Sequence, residues 1–112
     1  MGFYELLCIT RTGLSHADFT NLVKITATHI LERGGVVRGF ENWGVLPLPT
    51  KTRRHQVYHT NGQFWLMHFD TNPVVLHELR RKLNIDTRVI RGNLVKLGEK
   101  LEDIIERPDK TK

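Results

Sequence analysis

Polar residues recur through the stretch RVIRGNLVK, Arg88 to Lys96, and their chemistry suits phosphate contact. Arg88, Arg91 and Lys96 supply positive charge, and Asn93 supplies an amide that can donate and accept hydrogen bonds. Such side chains contact the phosphates of nucleic acids, while the apolar residues between them are typical of a β-strand. The stretch therefore predicts a strand with a cationic side. The alternative is that its arginines are solvated or ion-paired surface residues.

A second basic segment spans residues 50–62, TKTRRHQVYHTNG, and has no hydrophobic periodicity. We expect it to be the connecting loop of a hairpin, with Asn61-Gly62 as its turn. Arg53 and Arg54 in this loop are further candidates for phosphate contact, although such a segment could serve only to keep a long loop soluble.

Catalytic and metal-binding motifs are not evident. The sequence has no G-x-S-x-G motif and no glycine-rich phosphate loop. His55 and His59 have the spacing of two ligands on one helix face, but their segment is predicted to be a loop. Cys8 is the only cysteine and lies in an apolar run, as an inert buried residue would. We expect no enzyme, no cofactor and no metal.

Periodicity and capping signals give the elements that must position these residues. Ser15 precedes a helical pattern that ends at Gly34 and Gly35, and Asn72-Pro73 begins a second helix that ends near Asn84. Runs with apolar residues on both alternating sets of positions, residues 4–10 and 63–70, predict two central strands, whereas Pro47 and Pro49 favour an edge strand. The predicted strands are residues 4–10, 36–49, 63–70 and 88–96.

The resulting order, β-α-β-β-α-β, predicts an α+β fold: a ferredoxin-like sandwich whose four-stranded antiparallel sheet carries both helices on one face. We expect residues 1–97 to form this domain. Residues 98–112 are predicted to be a short helix and a charged tail.

Strand alternation then assigns the two faces of the sheet. In the last strand Ile90, Gly92 and Leu94 are predicted to face the helices, which leaves Arg91 and Asn93 on the open face. The central strands are apolar on both sides, so the open face needs a cover. Its candidate partner contacts are Leu7, Ile9, Phe64 and Leu66. The alternative cover is the C-terminal segment, through Leu101, Ile104 and Ile105.

Composition is consistent with one basic globular domain. The chain has 112 residues, 39% hydrophobic and 26% charged, with 17 Lys and Arg against 12 Asp and Glu. The net charge of +5 favours a polyanionic partner. No window approaches the roughly 20 apolar residues of a membrane helix, so we expect no membrane association.

Several motifs resemble one known family. YEL near the N-terminus, RGGVVRGFENWG after the first helix, the LP at Leu48-Pro49 and above all VIRGNLVK are similar to the sixth protein of the bacterial-type small ribosomal subunit, and most of all to its mitochondrial branch. The resemblance covers Tyr4 to about Lys96. It implies the same ferredoxin-like fold and a structural role in the small-subunit platform of the mitochondrial ribosome, in the matrix.

The resemblance also implies partners and residues. These are the small-subunit ribosomal RNA, in its central domain, and the eighteenth small-subunit protein, which would pack on the sheet and loops. No small-molecule substrate is implied. The chain departs from the bacterial pattern at Leu46, Pro47 and Thr50. The segment of residues 50–60 is also longer and more basic than that pattern leads us to expect. The matching RNA-facing candidates are Tyr4, Arg88, Arg91, Asn93 and Lys96.

Two other classes of function remain open from the sequence. One is a small ferredoxin-like phosphate-handling enzyme of the acylphosphatase kind, for which the loop after the first strand, TRTG, offers a single arginine. The other is a module whose sheet binds only another protein.

Overall fold

The computed structural model describes residues 2–98, and their strands and helices follow the predicted order β-α-β-β-α-β. The predicted helix that contains Leu101, Ile104 and Ile105 lies outside the described residues. The elements are β1 Gly2–Thr10, α1 His16–Glu32, β2 Val36–Arg54, β3 Val57–Thr71, α2 Pro73–Ile85 and β4 Val89–Gly98.

Both helices begin at the predicted caps. The Ser15 hydroxyl accepts a hydrogen bond from the Asp18 backbone N–H at 3.1 Å, and the Asn72 side chain accepts one from the Val75 N–H at 3.0 Å. Each bond satisfies an N–H group that the first turn of a helix leaves without a partner. After α1 the chain turns through Gly34, whose φ is 81°, so the predicted end of this helix is confirmed.

The sheet has the strand order β2-β3-β1-β4, and every neighbouring pair is antiparallel. The two predicted central strands are therefore β1 and β3, with β2 and β4 at the edges. Alternate side chains of the central strands pack with both helices in one core, which leaves the other face of the sheet open. The ferredoxin-like prediction is confirmed. The core includes Tyr4, Leu6, Cys8, Phe19, Leu22, Ile30, Trp65, Met67, Phe69, Leu79 and Leu83.

The segment predicted to be a loop is instead a long hairpin, so that prediction is wrong. β2 continues to Arg54, and Arg53 pairs with Tyr58 across the ladder. The turn is formed by His55 and Gln56, whose φ angles of 51° and 65° belong to the two-residue turn that matches the twist of a hairpin. The Asn61-Gly62 dipeptide lies inside β3.

A β-bulge at the start of β4 changes which way one residue faces. Ile9 pairs with Arg91, but the next pair along the ladder uses Val89, so Ile90 is an extra residue. Val89 joins the core, whereas Ile90 Cδ1 lies 3.6 Å from where a Cβ on Gly62 would lie, next to Ile9 on the open side. The prediction that Ile90 faces the helices is wrong, because strict alternation holds only in regular pairing.

Beyond the bulge the predicted faces are confirmed. Leu94 packs against the core. A Cβ on Gly92 would lie 3.3 Å from Leu83 Cδ1 of α2, which is tight contact. Glycine at this position therefore lets α2 pack closely on the sheet, and Arg91 and Asn93 face the open side.

Candidate nucleic-acid interface

Arg91 and Asn93 lie side by side on the open face of edge strand β4. They pair across the ladder with Ile9 and Leu7 of β1, and both side chains are exposed. Since residues two apart on a strand share a face, the guanidinium and the amide can contact the same ligand. The sequence-based placement of these two residues is confirmed.

The predicted partner contacts lie beside these polar residues in two rows that run across the strands, one starting at Arg91 and the other at Asn93. Ile9 pairs with Phe64, and Leu7 pairs with Leu66. Leu7 and Phe64 are half-buried, whereas Ile9 and Leu66 keep only 8% and 6% of their surface exposed. A ligand on this face would therefore meet Leu7 and Phe64 as the accessible apolar surface, bordered by Arg91 and Asn93.

At the other end of the open face the polar side chains pair with one another. Glu5 and His68 lie 3.0 Å apart, and Arg38 contacts Asp70 at 2.6 Å. The Phe3 ring stacks on the His68 ring at a centroid distance of 5.9 Å. The open face therefore has one end whose polar side chains pair with one another and one end, at Arg91, that presents cationic surface.

Two candidate residues lie on the helix side rather than the open side. Tyr4 is only 5% exposed and packs on Phe69 with ring centroids 6.2 Å apart. Lys96 pairs with Tyr4 across the ladder and is exposed. The structure therefore does not bring Tyr4 and Lys96 together with Arg91 and Asn93 on one face.

Arg88 is bound within the fold at the connection between α2 and β4. Its guanidinium donates to the Asp86 carboxylate at 3.0 and 2.7 Å and to Asn21 Oδ1 of α1 at 3.1 Å. The hydrogen bond from Arg88 lowers the pKa of Asp86, so this carboxylate stays charged at neutral pH. A bidentate arginine with a further partner on α1 fixes the start of β4 relative to that helix.

The hairpin carries Arg53 beside an aromatic residue that sequence reasoning did not single out. Tyr58 is 59% exposed; Lys51 Nζ lies 4.8 Å from its ring centroid and the Arg53 guanidinium lies 5.9 Å from it. A cation over the face of an aromatic ring is attracted electrostatically by the electron density of that ring. The signal for this arrangement was the cross-strand pairing of Arg53 with Tyr58, which could not be read while the segment was taken for a loop.

Arg54 and His55 attach the hairpin turn to the C-terminal end of α2. Arg54 Nη2 donates to the Asn84 carbonyl at 2.6 Å, and His55 Nε2 lies 3.1 Å from the Asp86 carbonyl oxygen. The last carbonyls of a helix have no partner within the helix, so a basic side chain is favourable there.

The described part of the chain shows neither a cluster of metal ligands nor a membrane-spanning helix. Across residues 2–98 no three His, Cys, Asp or Glu side chains cluster as metal ligands would, and none of the helices there is long and apolar enough to cross a membrane. Burial raises the pKa of the Cys8 thiol far above its usual range, which leaves it an inert core residue.

Fold and surface together define a basic ferredoxin-like protein with an open, partly cationic sheet. Comparison with known proteins makes this specific. The family described as "Ribosomal protein S6" matches residues 3–96, and the chain belongs to that family. The family identified from the sequence motifs is therefore confirmed.

Relatives and a solved structure extend the match over nearly the whole chain. The small ribosomal subunit protein bS6m of Neurospora crassa is 38% identical over 102 residues, 90% of this chain and 86% of that protein. The bS6m of Drosophila melanogaster is 33% identical and covers 88% of this chain and 67% of its own length. The 30S ribosomal protein S6 of Thermotoga maritima has the same fold, with a TM-score of 0.77 at 19% identity, over 98% of this chain and 96% of that one.

These similarities decide several sequence-based predictions. The protein is a structural, non-enzymatic component of the small ribosomal subunit, so the acylphosphatase-like alternative is excluded. The mitochondrial bS6m form is found among its relatives from fungus, fly and cow, and the predicted mitochondrial branch and mitochondrial location are confirmed.

Proposed function

We propose that the protein binds small-subunit ribosomal RNA through the cationic end of its open face, paired with the eighteenth small-subunit protein on the apolar part of that face. The observation that carries the proposal is the exposed pair Arg91 and Asn93, held in register beside Leu7 and Ile9. Family membership and the net charge of +5 support it.

The candidate RNA-binding residues take different parts in this proposal. Arg91 and Asn93 contact RNA from the open face, and Lys96 contacts it from the end of β4. Arg53 and Arg54 of the hairpin add positive charge. Tyr4 and Arg88 act through the fold, since Tyr4 is packed under the sheet and Arg88 is held by Asp86 and Asn21.

Salt titration tests the RNA contact. The slope of log affinity against log salt is negative, and each phosphate contact that is lost makes it less steep by about 0.7–0.9. We expect this change for Arg91→Gln with a central-domain fragment of the small-subunit RNA. Lys24→Gln, on the exposed outer side of α1, removes the same charge away from the sheet and is the matched control. Equal slopes for wild type and Arg91→Gln would contradict phosphate contact by β4.

The partner half of the proposal rests on the apolar rows of the open face. Leu7 and Phe64 are half-buried and supply accessible apolar surface, whereas their neighbours Ile9 and Leu66 are buried. A contiguous apolar patch that is exposed to water is unfavourable and commonly marks a site where another molecule binds. The eighteenth small-subunit protein is the proposed cover; of the predicted contacts Leu7, Ile9, Phe64 and Leu66, it would meet Leu7 and Phe64 directly.

Hydrogen exchange distinguishes this cover from a cover formed by the chain itself. On pairing with the eighteenth protein we expect slower amide exchange in β1 and β3, and a chain truncated after Lys96 should exchange like the full chain when free. If truncation alone accelerates exchange in these strands and pairing has no effect, the C-terminal segment is the cover. Salt-insensitive association without RNA retention would instead favour a module that binds only protein.

A further inference from the structure

A basic cleft lies where three connections of the fold meet, at the end of the sheet that carries the hairpin turn. The connection between β1 and α1, the turn between β2 and β3, and the connection between α2 and β4 enclose about 570 Å³ there. Four basic side chains and two hydroxyl side chains line the cleft: Arg11, Arg54, His55, His59, Thr12 and Thr87.

The charge of this cleft is not cancelled by its surroundings. No carboxylate is among the described residues that line it. Asp86 lies close by, since its backbone carbonyl oxygen is 3.1 Å from His55 Nε2. Its carboxylate is paired with Arg88 at 2.7 Å and also acts electrostatically on His55, whereas Arg11 and Arg54 form no ion pair with a carboxylate within residues 2–98. The cleft therefore keeps a positive potential for a ligand.

Two of the lining side chains are held in place before any ligand arrives. Arg54 is anchored through Nη2 to the Asn84 carbonyl, and its Nε–H is enclosed with no hydrogen-bond partner among residues 2–98. The His55 ring is held through Nε2, which lies 3.1 Å from the Asp86 carbonyl oxygen. Groups that are fixed in advance lose less conformational entropy on binding, and Arg54 keeps an N–H group that is not used within the fold.

The lining also indicates the class of ligand. Val57 is the one apolar side chain that lines the cleft in the described part of the chain, whereas the centre of a protein interface is usually apolar or aromatic. Guanidinium, imidazole and hydroxyl groups are the common partners of phosphate oxygens. The cleft is thus better suited to a phosphate-bearing ligand than to a protein side chain.

We propose that this cleft binds backbone phosphates of the ribosomal RNA, as a second contact area at the far end of the molecule from the Arg38 and Asp70 pair. This inference rests on the proposed RNA-binding function and extends it beyond β4. It assigns Arg11 to RNA contact, and it gives Arg54 and the two histidines a defined position in that contact.

Charge removal at the rim of the cleft gives the first test. Arg11 is exposed and makes no side-chain contact that the described fold depends on, so Arg11→Gln should fold normally; Lys24→Gln is again the control. With the central-domain RNA fragment we expect Arg11→Gln to make the negative salt slope less steep by about 0.7–0.9, and Lys24→Gln to leave it unchanged. An unchanged slope in Arg11→Gln overturns the inference.

Nitrogen NMR of arginine side chains gives the second test, without any substitution. The Arg54 Nε–H resonance should shift when the RNA fragment is added. The Arg38 Nε–H, which donates to Asp70 at 2.7 Å, is the internal control and should not move. If RNA binds and Arg91→Gln weakens it while the Arg54 resonance stays fixed, the cleft is not a contact and the proposed function stands. If the wild-type protein binds no RNA, both proposals fail. If only the eighteenth protein shifts the Arg54 resonance, the cleft is a protein contact and the inference is overturned.

Discussion

The two faces of the sheet are built from alternate residues of the same strands, yet they differ sharply in their polar content. On the covered face Leu6, Cys8 and Trp65 are completely buried. On the open face Glu5 pairs with His68, and Arg91 is exposed. One strand thus contributes both to the core and to the proposed binding surface, and the effect of a substitution depends on which face its residue occupies.

The largest expected effect separates two neighbouring leucines of β1. Leu6 lies in the core, so Leu6→Ala should reduce the free energy of unfolding by about 2–5 kcal/mol. Leu7→Ala, on the open face, should cost about 1 kcal/mol or less because Leu7 is only half-buried. Denaturant unfolding of both variants measures the difference. A larger loss in Leu7→Ala would mean that the faces have been assigned the wrong way round.

A second comparison uses two arginines three residues apart. Arg88→Gln removes charged hydrogen bonds to Asp86 and should cost about 1.5–3 kcal/mol, whereas Arg91→Gln should change stability by less than about 0.5 kcal/mol. In RNA titrations the order of the two effects should reverse, because Arg91→Gln should make the negative salt slope less steep than Arg88→Gln does. Equal stability losses would show that Arg91 has a structural partner.

The pair of Arg88 and Asp86 also predicts a pH dependence. Hydrogen bonding from Arg88 lowers the pKa of Asp86 in the folded state, so the stabilisation is complete above the ordinary carboxyl pKa of about 3.9. It is lost as the pH falls below that value and through the lowered pKa. The difference in unfolding free energy between wild type and Arg88→Gln should therefore be larger at pH 6 than at about pH 2.5. A constant difference would argue against this ion pair as the cause.

The smallest effect is expected at Asn93. Asn93→Ala should change the free energy of unfolding by less than about 0.5 kcal/mol, while Leu94→Ala, which loses core contacts on the covered side, should cost more. Thermal unfolding of the two variants compares them directly. If Asn93→Ala is the more harmful, the amide has a partner within the fold.

Local signals predicted most of the architecture. The caps at Ser15 and Asn72 and the runs with apolar residues on both alternating sets of positions depend on neighbouring residues, so they could be read from the sequence. Gly92 was also interpretable, because a glycine between apolar strand residues indicates close packing. The core and the open face followed from these elements.

The misassignments have a common physical origin in pairing between distant segments. The hairpin has polar strands and a turn without glycine at His55 and Gln56, so its sequence resembles a loop. The bulge at Ile90 depends on how β4 aligns with β1. Arg88 finds a partner in Asn21, 67 positions away. Such contacts exist only once the whole fold has formed.

The position of β1 in the sheet has a consequence for the order of events during folding. Of the strands in residues 2–98, β1 is synthesised before the others, yet it lies between β3 and β4, and β4 is the last of them. Its backbone groups on one side therefore remain unpaired until the last strand is available. Closing such a large loop is entropically costly and makes folding slow. A nascent or translocating chain would hold an apolar strand exposed throughout that interval, so its folding is expected to complete late and in one cooperative step.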